Sequence, residues 1–213
     1  MYLQTGENYM LYIIEGQDAT GKSTQAELLK KYLEAKSHTV HTYSESGTDS
    51  DNADTKAIAE ANYGHHSELE GRTHALLYLA NRYEQWAKIA EPALRAGEDV
   101  ILTRNWFSTL IYEGYGMGVS KNTIIRIHKE IMPAHYFQPD HIVILTLSDE
   151  ERAKRLTAQG GRSKENFKSQ NREFQDKLNH AYLHVAKDFK VATMDAAGTP
   201  DEVFANLKKL WNI

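Results

Sequence analysis

Residues 10–29 read MLYIIEGQDATGKSTQAELL, and this stretch decides the fold of the chain. The apolar run from Met10 to Glu15 is short and ends at Gly16, which favours a buried β-strand over a helix. After Ser23, apolar residues recur at helical spacing between Lys and Glu residues. The stretch therefore predicts a strand, a glycine-containing loop and a helix in succession.

The loop between these elements, Gly16 to Ser23, matches the pattern GxxxxGK[ST]. A glycine at each end lets the backbone curl so that successive N–H groups point at an anion, and the following helix N-terminus adds partial positive charge. Lys22 supplies a full charge to the outer phosphates of a nucleotide, and the Ser23 hydroxyl can bind magnesium. A glycine-rich turn that binds nothing is the alternative. The motif alone also leaves open whether water or a small molecule accepts the phosphoryl group.

Composition excludes several classes of protein. The 213 residues include 25 Lys and Arg against 29 Asp and Glu, a formal net charge of −4, which argues against broad binding to nucleic acid but not against a small anion in a local basic pocket. The chain has no Cys, which rules out a disulfide scaffold, a thiolate zinc site and a cysteine nucleophile and fits a cytoplasmic protein. We expect neither a membrane span nor a secretory signal, because the apolar runs are short and no basic stretch precedes them.

Strand and helix patterns alternate along the chain, which predicts a single α/β domain, residues 1–213, with a parallel sheet. The predicted strands are 10–15, 39–43, 100–102, 141–147 and 190–194. The predicted helices are 23–37, 67–96 in one or two pieces around Pro92, 120–132, 149–157, 165–188 and 200–211. Residues 44–56 and the glycine-rich 112–118 are predicted to be loops, with a break at 159–163.

Four segments resemble the thymidylate kinase family in order and spacing, over nearly the full length of the chain. They are YIIEGQDATGKSTQAELL (12–29), ALLYLANRYEQWAKIAEPALRAGEDVILTRNWFSTLIYEGYGMG (75–118), PDHIVILTLSDEERAKR (139–155) and TMDAAGTPDEV (193–203). The resemblance implies a P-loop NTPase fold with three layers, α/β/α, a central parallel sheet of five strands and a small lid near residues 152–168. It also implies a homodimer that phosphorylates dTMP to dTDP with ATP and Mg²⁺.

The resemblance divides the expected site residues between the two nucleotides. The expected ATP-binding residues are Gly16, Gln17, Asp18, Ala19, Thr20, Gly21, Lys22, Ser23 and Thr24, with Ser23 as the metal ligand. The family's arginine-rich lid has Arg152, Arg155 and Arg162 as candidates here, and the expected catalytic residues are Lys22, Asp18, Arg104, Arg155 and Arg162. The expected dTMP-binding residues are Tyr78 against the thymine ring, Arg82 at base or phosphate, Arg104 at the phosphate, Ser108 and Thr109 at the base edge, Tyr112 near the sugar, and Asp18.

Physical chemistry supports these roles and also offers simpler ones. A planar Arg fork suits a phosphate monoester. Stacking on Tyr78 tolerates any base, so selectivity for one base must come from hydrogen-bonding groups such as Arg82 and Thr109. The alternatives are a core aromatic at Tyr78, a structural ion pair at Arg82, and a helix cap at Thr109 with Ser108. A metal site at His65, His66 and His74 has no convergent carboxylates to support it.

Three departures from the family pattern bear on the reaction. Thr103 and Thr146 stand where the family has acidic residues, and the segment Ser44–Gly47 lacks the family's Arg and Pro. The acid at 103 normally holds magnesium through water, and Glu15, Asp18 and Glu45 are candidates to replace it. The departures leave open a kinase of another deoxynucleotide or deoxynucleoside, such as dUMP or a modified pyrimidine nucleotide, and a non-catalytic nucleotide-binding protein.

Overall fold

The carboxyl ends of five parallel strands meet at one edge of a central sheet. The computed structural model describes residues 9–47, 52–63, 69–158 and 172–213. The strands are β1 (Leu11–Gly16), β2 (Val40–Ser44), β3 (Asp99–Thr103), β4 (His141–Thr146) and β5 (Ala192–Asp195), in the order β2-β3-β1-β4-β5. The predicted strands are confirmed, with ends shifted by at most two residues. β1 therefore lies between β3 and β4, with Ile14 opposite Thr103 on one side and Val143 on the other.

Helices connect the strands. They are α1 (Lys22–Glu34), α2 (Ala53–Tyr63), α3 (Gly71–Gln85), α4 (Glu91–Arg95), α5 (Trp106–Thr109), α6 (Lys121–Ile131), α7 (Asp149–Ala158), α8 (Arg172–Asp188) and α9 (Pro200–Trp211). A π-helical turn over Trp86–Ala90 joins α3 to α4, and Pro92 lies in the first turn of α4, where its missing N–H is tolerated. Among the described residues, no helix has the length and apolar content that a membrane crossing needs.

Both faces of the sheet are covered, because alternate residues of each strand point to opposite sides. Leu11 and Ile13 of β1 pack into one apolar cluster with residues of α3 to α6 and α8. Tyr12 and Ile14 pack into a second cluster with α1 and α9. This arrangement confirms the predicted three-layer α/β/α fold with a parallel five-stranded sheet.

The predicted loop over residues 44–56 is wrong at its end, because α2 begins at Ala53. The Asn52 side chain accepts hydrogen bonds from the backbone N–H groups of Asp54 and Thr55, each at 3.0 Å. Asn is a preferred N-cap, so a polar stretch here starts a helix. The polar composition of residues 44–56 indicated a loop, so the cap was not predicted.

The predicted loop over residues 112–118 is also largely wrong. Leu110–Gly116 forms a π-helical turn that continues α5, with Tyr112 and Gly114 buried. A Cβ on Gly114 would lie 3.3 Å from Lys121 Cγ, so this glycine allows close packing against α6. The remaining predicted helices are confirmed within the described residues, but residues 159–171, which hold Arg162 and most of the expected lid, lie outside them.

Gly16 marks the point where β1 turns into the phosphate loop (residues 16–23), and its replacement by Ala should destabilise the fold. Its φ is +143°, and a Cβ would lie 2.5 Å from the Leu145 carbonyl oxygen of β4. We expect Gly16→Ala to lower the free energy of unfolding in urea by about 3 kcal/mol. Gly118→Ala is the control, since Gly118 has φ +77° with no atom within 4 Å of its Cβ position, and it should lose only about 1 kcal/mol. Equal losses would contradict the steric argument.

Candidate active site

The phosphate loop leaves β1 at the centre of the sheet edge and leads into α1. Ala19 and Gly21 have positive φ angles of +65° and +92°, which turn the loop back over the start of the helix. Among the described residues, no side chain caps the first N–H groups of α1, which suits them to an anion. Lys22 Nζ donates to the Gln17 carbonyl oxygen at 2.7 Å and lies 3.9 Å from Asp18 Oδ1. The loop therefore has the geometry of an anion-binding site.

Arg104 follows β3 directly and joins the expected acceptor-side residues to the phosphate loop. Its backbone has a φ of +72°, a left-handed conformation that is uncommon outside glycine. One end of the guanidinium donates to the Asp18 carboxylate, and the other donates to Ser108 Oγ at 3.1 Å. The guanidinium carbon lies 5.4 Å from the centre of the Tyr112 ring. Four of the expected acceptor-side residues thus lie together, beside the loop expected to hold ATP.

Arg82 has a different setting, because it is only 1% exposed. Its Nε donates to Glu45 Oε2 at 2.5 Å. One of its terminal NH2 groups donates to Thr109 Oγ1 at 3.2 Å and contacts His128 Nε2 at 2.8 Å. The other NH2 group donates to the Asn105 carbonyl at 3.0 Å. An Arg side chain has five N–H groups, so these four contacts leave at most one of them for a nucleotide. Thr109, expected at the base edge, is also 1% exposed. The structure thus places both residues in a buried network.

Two members of this network were missed by the sequence analysis, and Glu45 was considered only as a metal ligand. The Tyr136 hydroxyl donates to Glu45 Oε1 at 2.8 Å and accepts from the Trp106 backbone N–H at 3.0 Å. His128, in the middle of α6, is fully buried. The one available signal was the position of Glu45 directly after a predicted strand, where side chains of parallel sheets gather. No local pattern marks His128 or Tyr136.

The charges in the network follow from its burial. Burial raises the pKa of Glu45, and the neighbouring Arg82 opposes that rise. Burial alone would lower the pKa of Arg82, but the Glu45 carboxylate raises it, so the guanidinium stays charged. Burial, together with the charge of Arg82, lowers the pKa of His128 to about 3. Neutral His128 donates from Nδ1 to the Ile124 carbonyl at 2.8 Å, which leaves Nε2 as the acceptor for Arg82.

Tyr78 is partly exposed on α3, one helical turn before Arg82. Residues four apart lie on the same face of a helix, so Tyr78 shares a face of α3 with Arg82. The expected stacking residue therefore lies on the face of α3 that leads to Thr109 and Asn105. This position is compatible with contact to a base and with a role in packing.

A cavity of about 330 Å³ opens on the other side of the phosphate loop. It is lined by residues of the phosphate loop, of α1 and α7, and of the segment after β5: Ala19, Thr20, Gly21, Thr24, Gln25, Glu151, Arg155, Ala196, Gly198, Pro200 and Val203. Arg155 is held across the cavity, because it donates to the Ala196 carbonyl at 2.9 Å and pairs with Glu151 at 3.3 Å. The size and position of the cavity suit the base and sugar of a nucleotide whose phosphates lie in the loop.

Arg152, one turn earlier on α7, is 6% exposed. In the described part of the chain it has no side-chain hydrogen bond or ion pair, and its buried Nε lacks a partner. A buried N–H donor without a partner is unfavourable, so Arg152 is suited to an anion that reaches it. Arg162, the third expected lid arginine, lies outside the described residues.

Comparisons with known proteins identify the family and the fold of the chain. The family model for thymidylate kinase matches residues 14–207. The chain is 32% identical to the thymidylate kinase of Caldicellulosiruptor saccharolyticus over 200 residues, which cover 93% of each chain, and 31% identical to that of Mesoplasma florum over 94% of each. This chain belongs to the thymidylate kinase family. A crystal structure of thymidylate kinase from Ehrlichia chaffeensis shares the fold, with a TM-score of 0.74 at 22% identity over 97% of this chain.

The departures from the family pattern now have a structural setting. Thr103 ends β3 and is 7% exposed, and its carbonyl accepts from the Glu45 N–H at 3.1 Å. Thr146 ends β4, and its hydroxyl donates to the Met194 carbonyl of β5 at 3.3 Å. Both side chains offer a hydroxyl where this family has a carboxylate.

The residues that remain fit a magnesium ion bound together with nucleotide phosphates. Ser23 is exposed in the first turn of α1, next to Lys22. No group of three or more His, Cys, Asp or Glu able to hold a metal occurs among the described residues. Magnesium usually keeps several waters and binds through few protein ligands together with substrate phosphates, so a hydroxyl plus phosphates fits such an ion. His74 is not part of such a set, since its Nδ1 contacts Asn62 Oδ1 at 2.5 Å, and His65 and His66 lie outside the described residues.

His128 should make the stability of the protein depend on pH. Its pKa in the folded state, about 3, is below the ordinary value of 6.5, so at intermediate pH the unfolded chain binds one proton more at this residue. The stability that neutral His128 contributes is therefore present above pH 6.5 and is lost as the pH falls toward 3. His128→Gln removes this titration but keeps an acceptor for Arg82.

We expect the free energy of unfolding of wild type to fall by about 1.5 kcal/mol more than that of His128→Gln between about pH 6.5 and pH 5. Denaturant titrations at several pH values measure this difference. The raised pKa of Glu45 acts in the opposite direction, but it is common to both proteins and drops out of the comparison. Parallel pH curves would show that His128 accepts a proton freely in the folded state.

Proposed function

We propose that this chain transfers the γ-phosphoryl group of ATP to the phosphate of dTMP, giving ADP and dTDP. The observation that carries the proposal is the ion pair between Asp18 of the phosphate loop and Arg104 at the end of β3. It places the group expected to hold the acceptor phosphate directly beside the loop expected to hold the donor. Phosphoryl transfer requires such an arrangement, because it depends on two phosphates held in line and neutralised.

On the donor side, the backbone N–H groups at the start of α1 and Lys22 hold the phosphates of ATP. Lys22 Nζ, which donates to the Gln17 carbonyl at 2.7 Å, turns from this oxygen to the β- and γ-phosphates. The adenine and ribose occupy the cavity of about 330 Å³, against Arg155 and the segment after β5. Ser23 holds Mg²⁺, which neutralises phosphate charge when it is bound with ATP.

On the acceptor side, Arg104 receives the phosphate of dTMP. Its guanidinium is already oriented by Asp18 and Ser108, so little side-chain freedom is lost on binding. Tyr112, 5.4 Å from this guanidinium, lies where the sugar would pass, and Tyr78 offers its ring to the base. Arg82 acts by fixing the Thr109 hydroxyl and the Asn105 carbonyl at the acceptor side.

The lid arginines have different roles in this proposal. Arg155 is bound to Glu151 and to Ala196, so it serves the donor base and sugar. The Arg152 side chain is buried and has no hydrogen bond or ion pair in the described part of the chain, which suits it to the transferring phosphoryl group, with Arg162 as the other candidate. An enzyme that uses ATP to make a DNA precursor acts where both nucleotides occur, and we therefore propose that the protein works in the cytoplasm.

A panel of acceptors tests the function. ADP release is measured with ATP and dTMP, dUMP, dCMP, dGMP or thymidine. We expect dTMP to give the highest kcat/KM, with dTDP as product. If dTMP performed no better than dCMP or dGMP, the thymidylate assignment would be wrong. If ATP and dTMP raised the melting temperature but no dTDP formed, the chain would be a non-catalytic binder, the alternative raised by Thr103.

Arg104→Ala should abolish most of the turnover and preserve ATP binding. Loss of a positioned donor to a reacting phosphate reduces kcat by on the order of 100- to 1,000-fold. Arg104→Lys should recover only part of the loss, since Lys keeps the charge but lacks the fork. Arg126→Ala, a change at an exposed residue of α6, is the control for loss of a positive charge. Loss of ATP binding with normal dTMP binding would show that the two sides are reversed.

We also propose a homodimer that forms through one face of α3. Leu76 and Tyr83, two helical turns apart, are 58% and 45% exposed, an unusual exposure for large apolar side chains on one helix face. Leu76→Asp should shift the protein from dimer to monomer in analytical ultracentrifugation. Leu210→Asp, at a residue of α9 that is 43% exposed, should leave the oligomeric state unchanged. A wild-type monomer at micromolar concentration would refute the dimer.

A further inference from the structure

Glu15 is a fully buried carboxylate that the proposed mechanism does not use. It is the last residue of β1 before Gly16 and the phosphate loop. A buried carboxylate is strongly unfavourable unless hydrogen bonds or cations compensate it. Glu15 takes part in no ion pair within 4.0 Å among the described residues, so hydrogen-bond donors must carry the compensation.

Four neutral donors surround the Glu15 carboxylate. Oε2 accepts from the Gly16 backbone N–H at 2.7 Å and from the Tyr182 hydroxyl at 3.5 Å. Oε1 accepts from the Asn105 backbone N–H at 3.0 Å and from the Ser108 hydroxyl at 2.6 Å. Burial raises the pKa of the Tyr182 hydroxyl, and the nearby carboxylate raises it further, so this hydroxyl stays a donor.

These hydrogen bonds join the two sides of the site. Gly16 begins the phosphate loop, whereas Asn105 and Ser108 belong to the acceptor loop, our name for residues 104–108, which connect β3 to α5 and include the first residues of that helix. The Ser108 hydroxyl has a single proton, which goes to Glu15, so its oxygen faces Arg104 NH1 as an acceptor at 3.1 Å. Glu15 thereby orients the acceptor arginine through Ser108.

We propose that Glu15 is a positioning residue, which fixes the acceptor loop against the phosphate loop and so sets the alignment of the two reacting phosphates. The proposal rests on the proposed function, and it adds a residue to that mechanism. It also removes Glu15 from the candidates to replace the missing acid at Thr103. Both oxygens of Glu15 already face donors, and the side chain is 0% exposed, so no metal ion can reach it.

Glu15→Gln tests the proposal, because it keeps size and shape but turns one acceptor into a donor. An amide NH₂ would then face the N–H of Gly16, or the N–H and hydroxyl donors of the acceptor loop. A small misplacement of reacting groups lowers kcat by on the order of 10- to 100-fold. We expect a loss of this size in kcat with dTMP, while the KM for ATP stays near that of wild type. We also expect more ATP hydrolysed per dTDP formed, since a misaligned acceptor competes less well with water.

The matched control is Asp99→Asn, the same chemical change at a second buried carboxylate. Asp99 is 2% exposed at the start of β3, on the opposite edge of the sheet, where it accepts from the Met10 N–H at 2.8 Å. This variant should lower the melting temperature and leave kcat and the coupling of ATP hydrolysis to dTDP formation unchanged. Asp99→Asn thus separates general loss of stability from loss of alignment.

Ser108→Ala is the second variant, and it remains informative if Glu15→Gln fails to fold. It removes the hydroxyl that links Glu15 to Arg104 and should reproduce the fall in kcat in a milder form. In the double variant, the two losses should not add, because both changes break one link. The inference is overturned if Glu15→Gln lowers stability but leaves kcat and the ratio of ATP hydrolysed to dTDP formed as in wild type. If Glu15→Gln is insoluble, the same result for Ser108→Ala overturns it. A wild-type chain that phosphorylates no acceptor would instead refute the proposed function, and this inference with it.

Discussion

The central position of β1 is the constraint on which the rest of the structure depends. Because β1 pairs with β3 on one side and β4 on the other, its carboxyl end lies between the ends of two parallel strands. The chain can leave this crowded position only through Gly16, whose Cβ position is 2.5 Å from the Leu145 carbonyl. The phosphate loop is therefore anchored to the most buried strand, and Arg104 at the end of β3 becomes its direct neighbour. The proposed donor and acceptor sites are thus set side by side by the register of the sheet.

A second level of organisation is the buried network around Arg82. A buried guanidinium requires a carboxylate, and Glu45 supplies it, while Tyr136 and the neutral His128 satisfy the groups that remain. Such a network costs desolvation energy, and an apolar cluster of similar volume would serve stability as well. In return, the hydrogen bonds that Arg82 donates to the Thr109 hydroxyl and the Asn105 carbonyl fix two polar groups at the acceptor side. Specificity for one base requires fixed polar groups of this kind.

How much could be predicted from the sequence depends on how local each feature is. The strand, loop and helix of residues 10–29 follow from periodicity and one motif, and the position of Arg104 follows from the strand before it. The contacts of Arg82 do not, since Glu45 is 37 residues earlier and His128 is 46 residues later. The start of α2 depends on a single Asn52 cap within a polar stretch, and the π-helical turn at 110–116 depends on packing against α6. In both places the polar or glycine-rich composition indicated a loop, and a tertiary or capping contact overrode it.

The charges at the junction of the two loops explain how an acidic protein can present a site for two nucleotides. Asp18 lies 3.9 Å from Lys22 and also pairs with Arg104, so one carboxylate holds both cations. Phosphates that enter must displace it, and this competition weakens binding of the ground state. The same carboxylate keeps Lys22 and Arg104 close together and oriented before either nucleotide arrives. Preorganised charge is most effective where charge develops during the reaction. In the proposed mechanism, the nucleotides therefore bind less tightly in the ground state, but the two cations are already aligned for the transition state. Glu15, buried at the end of β1, holds the same pair of loops through hydrogen bonds from neutral donors, which no phosphate can displace.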